Sequence, residues 1–167
     1  RMAETAHSFG ASIEAGLGNV GDNEGGSAEG SSPGSEPSQF YTEPVQARDF
    51  IDRTGADALA IAVGTAHGAY KLPPKLDFDR IVKIKELTGL PLVMHGGSGI
   101  SVADTQRAIR CGIRKINYFS YMSNAGVKAV KKLLEEKEVK YFHDLANAAV
   151  DAMEQDVLNA MSMFALE

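Results

Sequence analysis

The sequence has little of what marks a secreted, membrane-spanning or nucleic-acid-binding protein. A single cysteine, Cys111, excludes an intrachain disulfide and a CxxC metal site, and it favours a reducing compartment. No apolar run approaches the roughly 20 residues of a membrane span. The formal net charge of −5 gives no electrostatic reason to expect nucleic acid or an anionic membrane as a partner. We therefore predict a cytoplasmic protein that binds neither.

What the sequence does contain is the composition of an ordinary globular protein. Hydrophobic residues make up 44% and charged residues 23% of the 167 residues, so the chain can bury a sizeable core. Segment 18–39 is different, because Gly, Ser, Asn, Asp, Glu and Pro dominate it. Such a segment cannot bury enough apolar surface to order itself, which predicts a mobile loop at 18–39. The loop is either a passive linker or an active-site lid.

Short apolar runs alternate with amphipathic segments along the chain. The alternation predicts an α/β fold whose parallel strands are joined by right-handed crossovers. Apolar runs predict strands at 11–15, 58–63, 92–94 and 113–117. Capping residues and apolar periodicity predict helices at 2–9, 44–54, 77–88 and 101–111, another starting at Ser120 or Ser123, and a long one at 141–164.

Four strand–helix units amount to half of an eight-unit barrel, which typically needs about 250 residues. A half-barrel would expose two sheet edges. We therefore expect either a piece of a longer barrel or a small open sheet. In both cases the polar residues Glu14, His67, His95 and Asn117 would lie at or just past the C-terminal ends of strands, where α/β proteins place their sites.

Two of these residues are histidines in glycine-flanked turns. His67 lies in the turn 64–71, and His95 is followed by Gly96, Gly97, Ser98 and Gly99. Neighbouring strand–helix units should bring the two histidines together, and imidazole is a common zinc ligand. We prefer this metal interpretation to a purely structural role for the pair.

The same turns offer places for anions. Ser98 and the backbone N–H groups around it form a cradle before the helix that Ser101 begins. Lys71 could reach an anion bound near Gly68, and Asn117 and Ser120 flank a third cradle. Several anion sites around a metal suit a phosphorylated substrate whose carbonyl the metal polarises.

The motifs together resemble a known family. Ile13-Glu14-Ala15 before the glycine-rich loop, the run 64–71 (GTAHGAYK), the run 94–99 (MHGGSG) and Lys115-Ile116-Asn117 resemble the class II, zinc-dependent ketose-bisphosphate aldolases. The resemblance implies that residues 1–167 form the second half of a single (β/α)8 TIM-barrel domain with an extra C-terminal helix. The first half would then lie outside this chain.

The resemblance also implies roles for individual residues. His67 and His95 match two of three zinc-binding histidines, and Glu24 falls where the family has a glutamate that moves protons. Ser120 falls at a phosphate-binding position. Further positions that hold substrate or phosphate are matched by Gly68, Lys71, Gly96, Ser98 and Asn117. We expect Zn²⁺ as the cofactor, with a monovalent cation as a second candidate.

The implied reaction is reversible aldol cleavage of a ketose bisphosphate. We expect fructose 1,6-bisphosphate as the substrate in preference to its tagatose epimer. The products would be dihydroxyacetone phosphate and an aldehyde phosphate, as in glycolysis, and the enzyme would be a homo-oligomer, dimer or tetramer. The family's third zinc ligand and a proton-donating aspartate would lie in the other half of the barrel. We therefore expect residues 1–167 alone to be inactive.

Two departures from the family pattern keep other functions open. Gly16 stands where the family has a second glutamate, and Tyr118-Phe119 is bulkier than usual after Asn117. A relative that has lost aldol chemistry and only binds phosphosugars or partner proteins is the alternative. A metal-free phosphate-binding barrel, such as an isomerase, would leave the two glycine-flanked histidines unexplained.

Overall fold

The computed structural model describes residues 1–22, 40–68 and 74–166, and the chain forms two compact units, Arg1–Asn117 and Tyr118–Glu167. The elements of the first unit, in chain order, are α1 (Met2–Ser8), β1 (Glu14–Leu17), β2 (Gly21–Asp22), α2 (Pro44–Thr54), β3 (Ala58–Ile61), β4 (Ala66–His67), α3 (Phe78–Thr88), β5 (Leu92–Met94), α4 (Val102–Cys111) and β6 (Ile113–Ile116). The second unit contains α5 (Ser120–Glu136) and α6 (Phe142–Phe164).

The first unit is built on a four-stranded sheet in the order β1-β3-β5-β6, and every neighbouring pair is parallel. The predicted parallel α/β fold is therefore confirmed. The short strands β2 and β4 form a separate parallel pair that the sequence analysis did not predict. Strand β2 lies inside the loop predicted at 18–39, most of which is outside the described residues.

One face of the sheet packs against the helices and forms the core. Residues that alternate along the central strands are buried with apolar side chains from α2, α3 and α4. The core side chains are Leu59, Ile61, Val63, Leu92, Met94 and Ile113 from the strand segments and Ala47, Ile81, Ile84 and Ala108 from the helices. Each of the predicted helices α2, α3 and α4 thus buries apolar residues against the sheet.

Helices α3 and α4 begin at side chains that cap them. The side chain of Asp77 accepts a hydrogen bond from the Arg80 backbone at the start of α3, and Ser101 does the same for Asp104 at the start of α4. Thr42, which is buried, links the ends of two strands, because its hydroxyl donates to the Leu17 carbonyl and accepts from the Ala62 N–H. These contacts hold the C-terminal ends of β1 and β3 together.

Strand β1 begins three residues later than predicted. The predicted strand 11–15 places Glu14 near its C-terminal end, whereas Glu14 is the first residue of β1. The pairing with the β3 segment starts at Ile13, whose carbonyl accepts from the backbone N–H groups of Asp57 and Ala58. The expectation that Glu14 follows a strand is therefore wrong.

The second unit is a pair of packed helices. Gly126 of α5 lies against α6, since a Cβ at this position would stand 3.0 Å from the sulfur of Met153. The start of α5 at Ser120 and the long C-terminal helix agree with the predictions. Tyr118 donates a hydrogen bond of 2.6 Å to Asp156, and its ring contacts that of Phe164. Within the described ranges, no helix is long and apolar enough to cross a membrane.

Candidate active site

The two histidines singled out by the sequence lie next to each other. His67 is the last residue of β4, and His95 directly follows β5. The Nε2 atom of His67 is 3.4 Å from Nδ1 of His95, and the two rings meet edge to face at an interplanar angle of 60°. The predicted convergence of these side chains is therefore observed.

Glycines make this approach possible. Gly96 has a positive φ of 67°, and a Cβ on it would collide with the carbonyl oxygen of Ala66, the neighbour of His67. A Cβ on Gly97 would collide with the side chain of Ile116, while its N–H donates to the Asn117 carbonyl at 3.0 Å. The turn after β5 is thus pressed against the β4 and β6 segments.

The second ring nitrogen of His95 faces a carboxylate. Nε2 of His95 is 3.3 Å from Oε1 of Glu14. Because an ionised carboxylate can only accept, this contact assigns the proton of a neutral His95 ring to Nε2. The lone pair of Nδ1 then points toward His67. A ligating histidine whose other nitrogen donates to a carboxylate is a recurrent arrangement in metal sites.

The spacing of the two histidine nitrogens suits a shared metal ion. Two imidazole nitrogens bound at about 2.0–2.1 Å to a tetrahedral ion lie about 3.3–3.4 Å apart. The observed separation of 3.4 Å agrees with this geometry. Within residues 1–22, 40–68 and 74–166, however, no three His, Cys, Asp or Glu side chains are placed to hold a metal together. His67 and His95 therefore fit two positions of a site that needs further ligands.

A third side chain, that of Asn117 directly after β6, contacts the histidine pair. The amide nitrogen of Asn117 lies 3.2 Å and 3.3 Å from the two nitrogens of His95, so it rests against the ring and not on one lone pair. The Asn117 oxygen accepts a 2.8 Å hydrogen bond from Lys115, which also donates to Glu14 at 2.8 Å. Glu14, His95, Asn117 and Lys115 form one connected network.

The hydrogen bonds of this network shift the pKa of Glu14. Partial burial by itself raises the pKa of this carboxyl, but the hydrogen bonds and positive charge of Lys115 and His95 outweigh burial, so the pKa is lowered overall. Glu14 is therefore an anion at neutral pH and Lys115 its counterion. The sequence signal for Lys115 is its position two residues before Asn117 in the predicted strand 113–117, which places both side chains on the same face.

The remaining predicted site residues differ in where they lie. Gly68 directly follows His67 and is buried, and Ser98 is buried in the turn after β5 with an exposed fraction of 3%. Ser120 is the first residue of α5 in the second unit. Glu24 and Lys71 lie outside the described residues, so their roles stay predictions.

The other two histidines and the cysteine make their contacts away from this group. His7 in α1 lies 2.9 Å from the Asp57 carboxylate, and His143 stacks on Tyr141. Cys111 ends α4 and packs against the core. None of the three belongs to the network around His95.

Comparison with known proteins agrees with this arrangement. The model of the family "Fructose-bisphosphate aldolase class-II" matches residues 1–167. The chain belongs to this family. Class II aldolases are carbon–carbon lyases and generally depend on a metal, which accords with two histidines that can share one ion.

Solved structures of class II aldolases have the same fold. The YdjI aldolase from Escherichia coli K12 is 32% identical, with a TM-score of 0.78 over 98% of this chain and 53% of its own. A Coccidioides immitis protein described as a candidate fructose-1,6-bisphosphate aldolase is 25% identical, with a TM-score of 0.81 over 98% of this chain and 55% of its own. The chain thus spans about half the length of these class II relatives.

Proposed function

We propose that this chain supplies the zinc- and phosphate-binding part of an aldolase that cleaves a ketose bisphosphate. Fructose 1,6-bisphosphate is the substrate we put first, with dihydroxyacetone phosphate and an aldehyde phosphate as products. The observation that carries the proposal is the 3.4 Å approach of His67 Nε2 to His95 Nδ1 beside the amide of Asn117. Family membership supports the reaction class.

In this reaction the bond between C3 and C4 of the ketose breaks. The C4 hydroxyl loses its proton to become an aldehyde, and C3 takes up a proton. His67 and His95 would hold a zinc ion, which would supply a Lewis acid for the ketone oxygen. Glu14 keeps the His95 ring in the tautomer that offers Nδ1, and Asn117 can donate its amide N–H to a substrate oxygen beside the histidines.

The phosphate groups are assigned to the glycine-rich turns. Ser98 and the backbone around Gly96 form one proposed cradle, and Gly68 with Lys71 forms another. Ser120, at the first turn of α5, is the third proposed phosphate contact. Glu24 is the proposed proton carrier, and a monovalent cation is a second proposed ion.

The proposal is tested by metal analysis and a cleavage assay on the intact protein. We expect about one zinc per chain, cleavage of fructose 1,6-bisphosphate, and loss of cleavage with a chelator that added zinc reverses. His67→Ala and His95→Ala should lose zinc and reduce kcat/KM at least about 100-fold, since each removes a direct ligand. The control His143→Ala removes an exposed ring stacked on Tyr141 and should retain both.

Retention of zinc and full cleavage in His67→Ala and His95→Ala would contradict the proposed site. Comparing fructose and tagatose bisphosphates in the same assay decides the preferred epimer.

A binding protein without aldol chemistry is the second candidate. Gly16 lacks the carboxylate that the family carries there, and Phe119 is 58% exposed where a smaller residue is usual. Calorimetric binding of a ketose bisphosphate to a zinc-loaded protein that does not cleave it would favour this candidate over the aldolase.

Assembly and location complete the proposal. We propose that the protein is cytoplasmic and that it forms a homo-oligomer, dimer or tetramer. The exposure of apolar side chains in the second unit supports the oligomer, since Val127, Val150 and Met161 are each at least half exposed. Light scattering coupled to size-exclusion chromatography checks the oligomeric state.

A further inference from the structure

One cation beside the histidine pair has no assigned role. Lys115 lies on β6, and its ammonium bonds at 2.8 Å to both the Glu14 carboxylate and the Asn117 amide oxygen. Glu14 is on β1, at the opposite edge of the four-stranded sheet. The bridge therefore reaches over the two strands between them.

A β-bulge puts Lys115 on this face of the sheet. Leu92 pairs with Ile113, but the next residue of β5, Val93, pairs with Lys115, so Arg114 is the extra residue. Without the bulge, Val93 would pair with Arg114, and Lys115 would face the helices. The arginine instead turns back and donates to the carbonyls of Ile109 and Ile113.

Small side chains leave room for the bridge. In register, Ala60 of β3 pairs with Gly16 of β1 and with Val93 of β5. These residues share the face that carries Glu14 and Lys115, because paired residues of parallel strands point the same way. Alanine and glycine at this level let two long side chains meet above the sheet.

The chemistry of lysine decides how the Asn117 amide is turned. An ammonium has three donors and no acceptor, so only the oxygen of a carboxamide can face it. With the oxygen held by Lys115, the NH₂ group must point the other way, and it lies 3.2 Å from His95 Nδ1. A neutral or accepting group at position 115 would allow both orientations.

We propose that Lys115 is a positioning residue that sets the orientation of the Asn117 carboxamide. It turns the NH₂ group toward the histidine pair, where it can donate to a substrate oxygen, and Glu14 holds the lysine in place. This inference rests on the proposed aldolase function, but it concerns an orientation that can be observed without turnover.

The test compares three substitutions in the intact protein. Lys115→Met keeps most of the length of the side chain and removes the donor, whereas Lys115→Arg keeps a group that can only donate. Lys85→Met is the matched control, because Lys85 also donates two hydrogen bonds, to the carbonyls of Gly89 and Leu90, and has no contact with the network.

The first measurement is kinetic. Lys115→Met should lower kcat about 10- to 100-fold with a smaller change in KM, as is typical of residues that orient a direct contact. Lys115→Arg should recover most of this loss, and Lys85→Met should keep the wild-type kcat even where its melting temperature falls. A kcat in Lys115→Met equal to that of Lys85→Met would overturn the proposal.

The second measurement observes the amide itself. In protein labelled with ¹⁵N-asparagine, the Asn117 NH₂ signals, identified by their loss in Asn117→Asp, should show nuclear Overhauser contacts to the His95 ring. These contacts should weaken in Lys115→Met and persist in Lys115→Arg. Unchanged contacts in Lys115→Met would overturn the proposal, even if the wild type cleaves no ketose bisphosphate and the proposed function fails.

Discussion

At the scale of single residues, the candidate site depends on a glycine whose missing Cβ lets two turns approach each other. Gly96 combines a positive φ with direct contact to the backbone of Ala66, so that the two histidine-bearing turns touch. Gly89, at the end of α3, has a similar φ of 70° but nothing within 4 Å of the position of a Cβ. Substituting alanine at each position therefore distinguishes the energetic cost of the positive φ from the cost of the steric collision.

This difference gives a prediction. Gly89→Ala should lower the free energy of unfolding by about 1 kcal/mol, the usual cost of a left-handed non-glycine residue. Gly96→Ala should lower it by about 2–3 kcal/mol, because the Ala66 carbonyl must also move. Zinc content should fall in Gly96→Ala alone. Chemical denaturation and metal analysis of both variants check this, and equal losses of stability would contradict it.

At the scale of elements, one partly buried hydroxyl in the second unit connects the segment before α5 to the long helix α6. Tyr118 donates to Asp156 on α6 at 2.6 Å. Burial, and then the hydrogen bond to a carboxylate, raise the pKa of Tyr118 well above its ordinary value, so the hydroxyl is protonated and can donate at neutral pH. Tyr118, one of the two bulky residues after Asn117, thus contacts and stabilises α6.

Tyr118→Phe tests this contact. We expect a loss of about 1–3 kcal/mol in unfolding free energy, since a hydrogen bond to a charged group is removed. Tyr141→Phe is the control, because Tyr141 is 64% exposed at the start of α6, and its loss should stay within about 0.5 kcal/mol. Urea denaturation monitored by circular dichroism measures both, and comparable stabilities would contradict the role given to Tyr118.

At the scale of the whole molecule, one carboxylate joins segments that are far apart in the chain. Asp57 accepts from the Ile13 backbone N–H at 2.7 Å and lies 2.9 Å from Nε2 of His7. The hydrogen bond from Ile13, followed by that from His7, lowers the pKa of Asp57 below its ordinary value of 3.8. Folding therefore favours the ionised form of this group.

The direction of the shift predicts how stability depends on pH. A carboxyl with a lowered pKa in the folded state binds fewer protons there than in the unfolded state, so its contribution is present above pH 3.8 and is lost as the pH falls through the folded value. Melting temperatures between pH 6 and pH 3 should fall less steeply in Asp57→Asn than in the wild type. Parallel slopes in the two proteins would contradict this.

Some of the site could be predicted from the sequence because its signals are local. Gly64 and Gly68 around His67, and Gly96 and Gly97 after His95, each beyond an apolar run, indicate neighbouring turns at one edge of a parallel sheet. Glu14 was misplaced, because where a strand begins depends on its pairing with the next strand and not on its own residues. Lys115 was missed as a member of the site because its contact with Glu14 depends on how β6 pairs with β5.

The sequence by itself determined the order of the helices and of the four strands of the main sheet, the parallel pairing and the presence of two histidines in glycine-rich turns, since periodicity, capping and turn residues act over a few positions. Only the tertiary structure decided which nitrogen of His95 faces His67, and that Glu14 meets a lysine 101 residues further along the chain. Those contacts depend on the register of β6 and on the bulge at Arg114, which arise when strands pair.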